Sequence, residues 1–194
     1  MEKKIKLISY WDRAAVNTLV TTGTLTASAG KRLFKEGLDK RERNCMKKAY
    51  AFIAKHTPLV PKGSYPMWAW MCPSYWAERE QEDTIKVCYT KPRNEVLCTN
   101  MDLYSSFFGF GGPLFTDEEY AKYGEKVIEA IASSLSPKEV EETWEKCFVH
   151  DWRIRRSTQV TFYKLRLEEV TNIDEIKAQL KKLGDAQERK DFLL

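Results

Sequence analysis

A chain of 194 residues, 43% hydrophobic and 31% charged, has the balance of one globular domain and is short for two, which excludes a disordered segment. Its formal charge of +4 permits an anionic partner without demanding one. No apolar run approaches the roughly 18 residues of a membrane helix, and the basic start Met1-Glu2-Lys3-Lys4-Ile5-Lys6 lacks the apolar stretch of a signal peptide, so neither a membrane partner nor export is expected.

In chain order, Lys4 to Tyr10 alternates loosely and predicts a first strand. Asp12 is placed to cap a helix through Ala14, Ala15, Val16, Leu19 and Val20 that stops at Gly23. Residues 24 to 38, rich in Thr, Ser and Gly, predict an irregular connection. A second helix, about Asp39 to Lys55, carries Cys45, Ala49, Phe52 and Ile53 on one face. Pro58, Pro61, Pro66 and Pro73 exclude a long helix from Thr57 to Trp76. Within that stretch Met67-Trp68-Ala69-Trp70-Met71 reads as a short strand, with both tryptophans on one face.

Thr84 to Thr90 and Glu95 to Thr99 read as two strands, and the turn Lys91-Pro92-Arg93-Asn94 between them suggests a hairpin. Asn100 is a candidate N-cap for a short helix holding Leu103, Tyr104, Phe107 and Phe108. Capping boxes at Thr116 with Glu119, and at Ser136 with Glu139, open two further helices. The first is expected to bury Val127, Ile128 and Ile131, the second Val140, Trp144 and Phe148. Thr158 to Leu167 reads as an interior strand, apolar on both faces at its start. A last helix from about Asp174 turns Ile176, Leu180 and Leu183 inward, and residues 185–194 form a charged tail expected to fray. The fold class that follows is α+β: one domain over 1–194, with a mixed, mostly antiparallel sheet of five or six strands and packed helices.

The usual catalytic signatures are absent. The sequence contains no phosphate-binding P-loop, no dinucleotide glycine motif between strand and helix, no nucleophile elbow and no zinc-protease helix. Gly109-Phe110-Gly111-Gly112 has glycines without the strand-to-helix setting. Five cysteines of irregular spacing and two isolated histidines, His56 and His150, argue against a disulfide framework and a zinc site, and for reduced thiols in a cytoplasmic protein. Trp68, Trp70, Tyr75 and Trp76 either wall a pocket that stacks a flat ring such as adenine or nicotinamide, or are simply core. Arg153, Arg155 and Arg156 bring three guanidinium forks together, suited to phosphate or carboxylate, or make a solvated basic connection.

Several segments, in order, resemble a bacterial family of domains of unknown function, number three-eight-four-one. They are Pro66-Met67-Trp68-Ala69-Trp70, Ile85-Lys86-Val87, Glu95 to Tyr104, Thr143-Trp144-Glu145-Lys146-Cys147-Phe148 and Gln159 to Leu165. The chain has Thr99-Asn100-Met101 where members have Ser-Asp-Phe. A more distant similarity, in the order of elements and in Leu19-Val20-Thr21-Thr22-Gly23-Thr24-Leu25, is to ADP-ribosyltransferase-like domains. That resemblance implies a nucleotide-binding domain acting on NAD, or a degenerate one, with no metal. Those enzymes place a Glu on a late strand. Here the strand offers Gln159 and Thr161, with Glu168 and Glu169 beyond its end, and the first strand supplies Tyr10 and Arg13. In this reading Gln159, Thr161 and Glu168 stand at the catalytic positions, and Tyr10, Arg13, Trp68, Trp70, Arg155 and Arg156 hold the nucleotide. The rival expectation is a non-enzymatic bacterial or phage accessory protein that meets a protein or nucleic-acid partner through a basic and aromatic surface. A third reading makes every one of these residues a packing residue.

Overall fold

The computed structural model of the chain describes residues 3–28, 39–57, 60–61, 63–71, 84–103, 111–148 and 158–191, with the side chains of 41–42 and 184–191 left aside. Strand β1 (Lys4–Asp12) turns Ile5, Leu7 and Trp11 to one side. Asp12 then caps α1 (Arg13–Thr22): its carboxylate accepts the Ala15 N–H at 2.7 Å, and Gly23 ends the helix at φ 76°. Both ends follow from the sequence. A short acidic side chain satisfies an orphan N–H of the first turn, and glycine enters the left-handed region without a Cβ penalty.

Short strands β2 (Thr24–Leu25) and β3 (Ala27–Ser28) come next, then α2 (Lys40–His56) and β4 (Ser64–Tyr65), which pairs with β3. β5 (Met67–Met71), β6 (Thr84–Pro92) and β7 (Leu97–Asn100) precede the helices α3 (Asp117–Tyr123), α4 (Glu125–Ser134) and α5 (Pro137–Thr143). After β8 (Thr158–Phe162) and β9 (Leu165–Arg166), α6 (Ile173–Asp191) closes the order. Five strands form the main sheet in the order β6-β1-β5-β8-β7, and every pairing in it is antiparallel. The α+β class is as expected.

The expected hairpin does not form. β6 and β7 lie at opposite ends of the strand order rather than side by side. Pro92 has no N–H to continue a ladder, and the Arg93 N–H donates to the Lys3 carbonyl at 2.9 Å instead of folding the chain back. The five residue steps from Pro92 to Leu97 reach at most about 18 Å when fully extended. A flat five-stranded sheet would separate its edges by about 19 Å, and part of this path is a 3-10 turn, Arg93–Glu95. The sheet therefore curls. Tyr89 on β6 and Phe162 on β8, three strands apart in order, accordingly bring their rings within 5.5 Å.

One face of the curled sheet gathers Leu7, Val87, Met67, Val160 and Phe162 with Val16 and Leu19 of α1 and Ile176 of α6. The second face is covered by Ala49, Phe52 and Ile53 of α2 and by Leu114, Trp144 and Cys147, with Trp68 and Leu97 packed against them. Val140, Trp144 and Phe148 all join this second cluster, as their spacing predicts, although the helix tightens to a 3-10 turn at Trp144–Cys147.

Two further expectations need correcting. The segment after Thr116 is two helices broken at Gly124 (φ 77°), which re-aims the second, so that only Ile128 of the three expected residues is buried and Val127 is 48% exposed. The segment Thr158 to Leu167 is an interior strand only as far as Phe162; it then leaves the main sheet and pairs with β2 as β9. The last helix runs from Ile173 to Asp191. At Asn100 the capping expectation holds: its side-chain oxygen accepts from the Asp102 and Leu103 amides at 3.0 and 3.4 Å, while Tyr104, Phe107 and Phe108 lie outside the described residues.

Candidate functional site on the tryptophan face

Residues directly opposite one another in an antiparallel pair point to the same face of the sheet. Register places Trp68 opposite Thr161 and Trp70 opposite Gln159, with Leu97 and Thr99 of β7 on the far side of the same two residues. Ile8 stands opposite Trp70, and alternation brings Tyr10, two residues on, to that face too. Five of the residues singled out in the sequence thus come together: Tyr10, Trp68, Trp70, Gln159 and Thr161. Both tryptophans are half-buried. The Tyr50 ring of α2 lies 6.0 Å from Trp68 and meets Tyr65 edge-on at 5.5 Å. Burial first, then the neighbouring Tyr65 and Tyr163, push the Tyr50 phenol above its ordinary range, so it stays neutral.

Beside the tryptophans, on the neighbouring strand, lie two polar atoms without partners among the described residues. Thr161 is fully buried, and among the described residues neither its hydroxyl nor the side-chain oxygen of Gln159, also shut off from solvent, has a hydrogen-bond partner. The adjacent Thr99 hydroxyl donates to the Gln159 main-chain carbonyl at 3.3 Å and does not reach the side-chain oxygen. An unmet buried polar group costs roughly 1 to 3 kcal/mol, so two on neighbouring positions of one strand require a reason.

The remaining predicted residues go elsewhere. Arg13 donates to the Leu183 carbonyl of α6 at 3.4 Å, away from the tryptophan face. Glu168 is exposed on the 3-10 turn Leu167–Glu169. Arg153, Arg155, Arg156, Tyr75, Trp76 and His150 lie outside the described residues. His56 stacks on Phe148 at 4.2 Å and meets Glu145 at 3.2 Å, within the packing of α2.

A second polar cluster lies at the end of β6. Lys91, read from the sequence as a turn residue, is the penultimate residue of β6 and is 1% exposed. Its ammonium lies 3.2 Å from Glu95 and 2.9 Å from Glu169, and Arg166 meets the same carboxylates at 3.4 and 3.1 Å. Burial would raise the Glu95 carboxyl, but its bonds to Lys91 and the charge of Arg166 outweigh this and hold it below the usual range. Beside it the buried Ser9 hydroxyl donates to the Trp68 carbonyl and shares a 2.7 Å bond with the Tyr89 hydroxyl. Since the one Ser9 proton is engaged, Tyr89 is the donor there. Burial keeps that phenol neutral by raising it well above its ordinary value. The signal that could have found Lys91 is alternation: it continues the inward series Ile85, Val87, Tyr89. Two cations answer two carboxylates, and together they tie the end of β6, the following turn and the turn after β9 into one clasp.

Among the described residues no three His, Cys, Asp or Glu side chains gather as metal ligands would, and no helix is long and apolar enough to cross a membrane. Cys98 and Cys147 are buried, and burial pushes the Cys147 thiol up to about 12. No disulfide joins the described cysteines.

Fold and site together define an α+β protein built on one curled antiparallel sheet, with a polar and aromatic face under a helix. The family model described as "Domain of unknown function (DUF3841)" matches residues 7–171, and the chain belongs to this family. No curated protein and no solved structure matches it.

Proposed function

We propose that this domain binds a nucleotide on the tryptophan face of its sheet. Trp68 and Trp70 supply the surface on which a flat ring stacks, and Gln159 and Thr161 supply the groups that meet its polar edge. The observation that carries the reading is the pair of buried, unanswered polar atoms directly opposite the two tryptophans. A site built to hydrogen-bond a ligand leaves such groups unmet until the ligand arrives, and then discriminates by them.

NAD is the nucleotide to which the resemblance to ADP-ribosyltransferase-like domains points. Strands β5, β7 and β8 carry no Asp or Glu. Where a transferase of that kind sets a carboxylate against a developing oxocarbenium ion, this face offers the neutral carboxamide of Gln159. Binding is therefore the primary property in this reading, and any transfer chemistry would rest on Gln159 and Thr161 rather than on the distant Glu168.

The test is thermal denaturation with and without NAD, followed by Thr161→Val and Gln159→Leu. At 100 times its Kd a ligand stabilises the folded state by about 2.7 kcal/mol, a shift of roughly 5 to 10 °C at this chain length. Wild type should show that shift and the two variants should lose it while remaining folded. Nicotinamide release from NAD, followed in the same proteins, decides between an active and a degenerate site. A wild-type protein whose Tm responds to neither NAD nor AMP overturns the proposal.

A further inference from the structure

A separate cleft of about 590 Å³ lies between α2 and α5, lined among others by Lys40, Asn44, Lys48, Val140, Glu141 and Trp144. Its volume falls in the range of small-molecule sites. Lys40, Asn44 and Lys48 are spaced four apart on α2, so they stand one above another along one side of the cleft. Lys48 is held by Glu141 at 2.9 Å across the opening. Lys40 and Asn44 make no side-chain hydrogen bond or ion pair among the described residues, and both sit in the first turns of a 17-residue helix, whose positive end favours an anion there. The floor is apolar. Trp144 is buried to 3% exposure and is fixed by donating its indole N–H to the Gly112 carbonyl at 2.9 Å, with Val140 beside it. Gly111 closes one flank at φ 63°; a Cβ there would stand 2.9 Å from the Cys45 sulfur, so only glycine brings the backbone that close.

We propose that this cleft binds a small organic anion with an apolar body, a carboxylate on an aryl or alkyl group. The carboxylate meets Lys40, Asn44 and Lys48, and the body lies against Val140 and Trp144. The proposal uses none of the residues of the nucleotide reading: the cleft is lined from α2, Gly111 and the α5 segment, although Val140 and Trp144 belong to the cluster that packs against Trp68.

Indole-3-acetate is the probe, and tryptamine, the same ring with the opposite charge, is its control. Amide-resolved NMR titration of the whole chain should show saturable shifts at Asn44, Gly111 and Val140 with the acetate and none with tryptamine. Lys40→Gln and Lys48→Gln should each weaken acetate binding by about two- to fivefold, the range of an exposed charge pair. Glu141→Gln should tighten it by a similar factor, because it releases Lys48 and removes a like charge. The two lysines are at the rim, so their variants fold, and the NAD response should be the same in all three proteins. Tryptamine shifting the same amides, lysine variants that bind like wild type, or acetate binding weaker than about 1 mM, an affinity of little more than 4 kcal/mol, would each overturn the assignment.

Discussion

Lys91 on β6 and Thr161 on β8 are polar residues of one sheet, exposed by 1% and 0%, yet they stand in opposite situations. The ammonium of Lys91 has two carboxylates within 3.2 Å, and those carboxylates have Arg166 as well. The hydroxyl of Thr161, on the other face, has no hydrogen-bond partner among the described residues. A buried charge survives only when its partners come with it, so the Lys91 cluster belongs to the architecture and ties the end of β6 to the turn after it and to the turn after β9. A neutral hydroxyl costs far less to leave unmet. A fold can carry one where a ligand will complete it, and the face with the unmet atoms is the one that also presents two half-buried tryptophans.

The largest effect expected from breaking this contrast is at the clasp. Lys91→Ala leaves Glu169 buried without its closest cation and should cost roughly 3 to 5 kcal/mol in urea unfolding; a loss below about 1 kcal/mol would mean the cluster does not tie these segments together. Trp144→Ala, in the second core cluster, should cost a similar 3 to 5 kcal/mol. Trp70→Ala removes a ring only partly withdrawn from water and should cost about 1 to 2 kcal/mol while abolishing the NAD response. Equal losses at Trp70 and Trp144 would place Trp70 in the core and end its role as a stacking surface.

Thr161→Val goes the other way. Removing an unpartnered hydroxyl at nearly constant shape should stabilise the protein without ligand by about 1 kcal/mol, and destabilisation on that scale would show that the hydroxyl is satisfied in solution.

The smallest effect is in pH. Glu95 has a depressed folded pKa, as does Glu119, where burial is outweighed by two 2.7 Å bonds from Lys146 and by the Thr116 amide. Their contribution is fully present above the unfolded value of about 4.3 and is lost as pH falls through the lower folded values. Acid unfolding below that point should therefore be shallower in Glu95→Gln. It should be unchanged in slope in Thr161→Val, because β5, β7 and β8 carry no carboxylate to titrate.

Much of the local structure was legible in the residues. Asp12 and Gly23 bound α1 where their chemistry says they should, and both capping boxes are present: Glu119 and Glu139 each accept the backbone N–H of their capping residue at 2.8 Å. Alternation assigned Met67, Ala69 and Met71 to one face of β5 and Trp68 and Trp70 to the other. The same rule, continued two residues past Tyr89, reaches Lys91, but Lys-Pro-Arg-Asn also has the composition of a tight turn, which masks the alternation.

Caps, helix faces and strand faces depend on residues within about four positions of one another, and the sequence by itself determined them, along with the α+β class. Which strands become neighbours depends on groups far apart in the chain, and only the tertiary structure decided it. Ser9 meets Tyr89 across 80 positions and Lys91 meets Glu169 across 78. The same long-range pairing sets Gln159 and Thr161 against Trp70 and Trp68 and leaves two polar atoms unanswered among the described residues, because hydrogen-bond satisfaction is a property of three-dimensional neighbours and not of order along a strand.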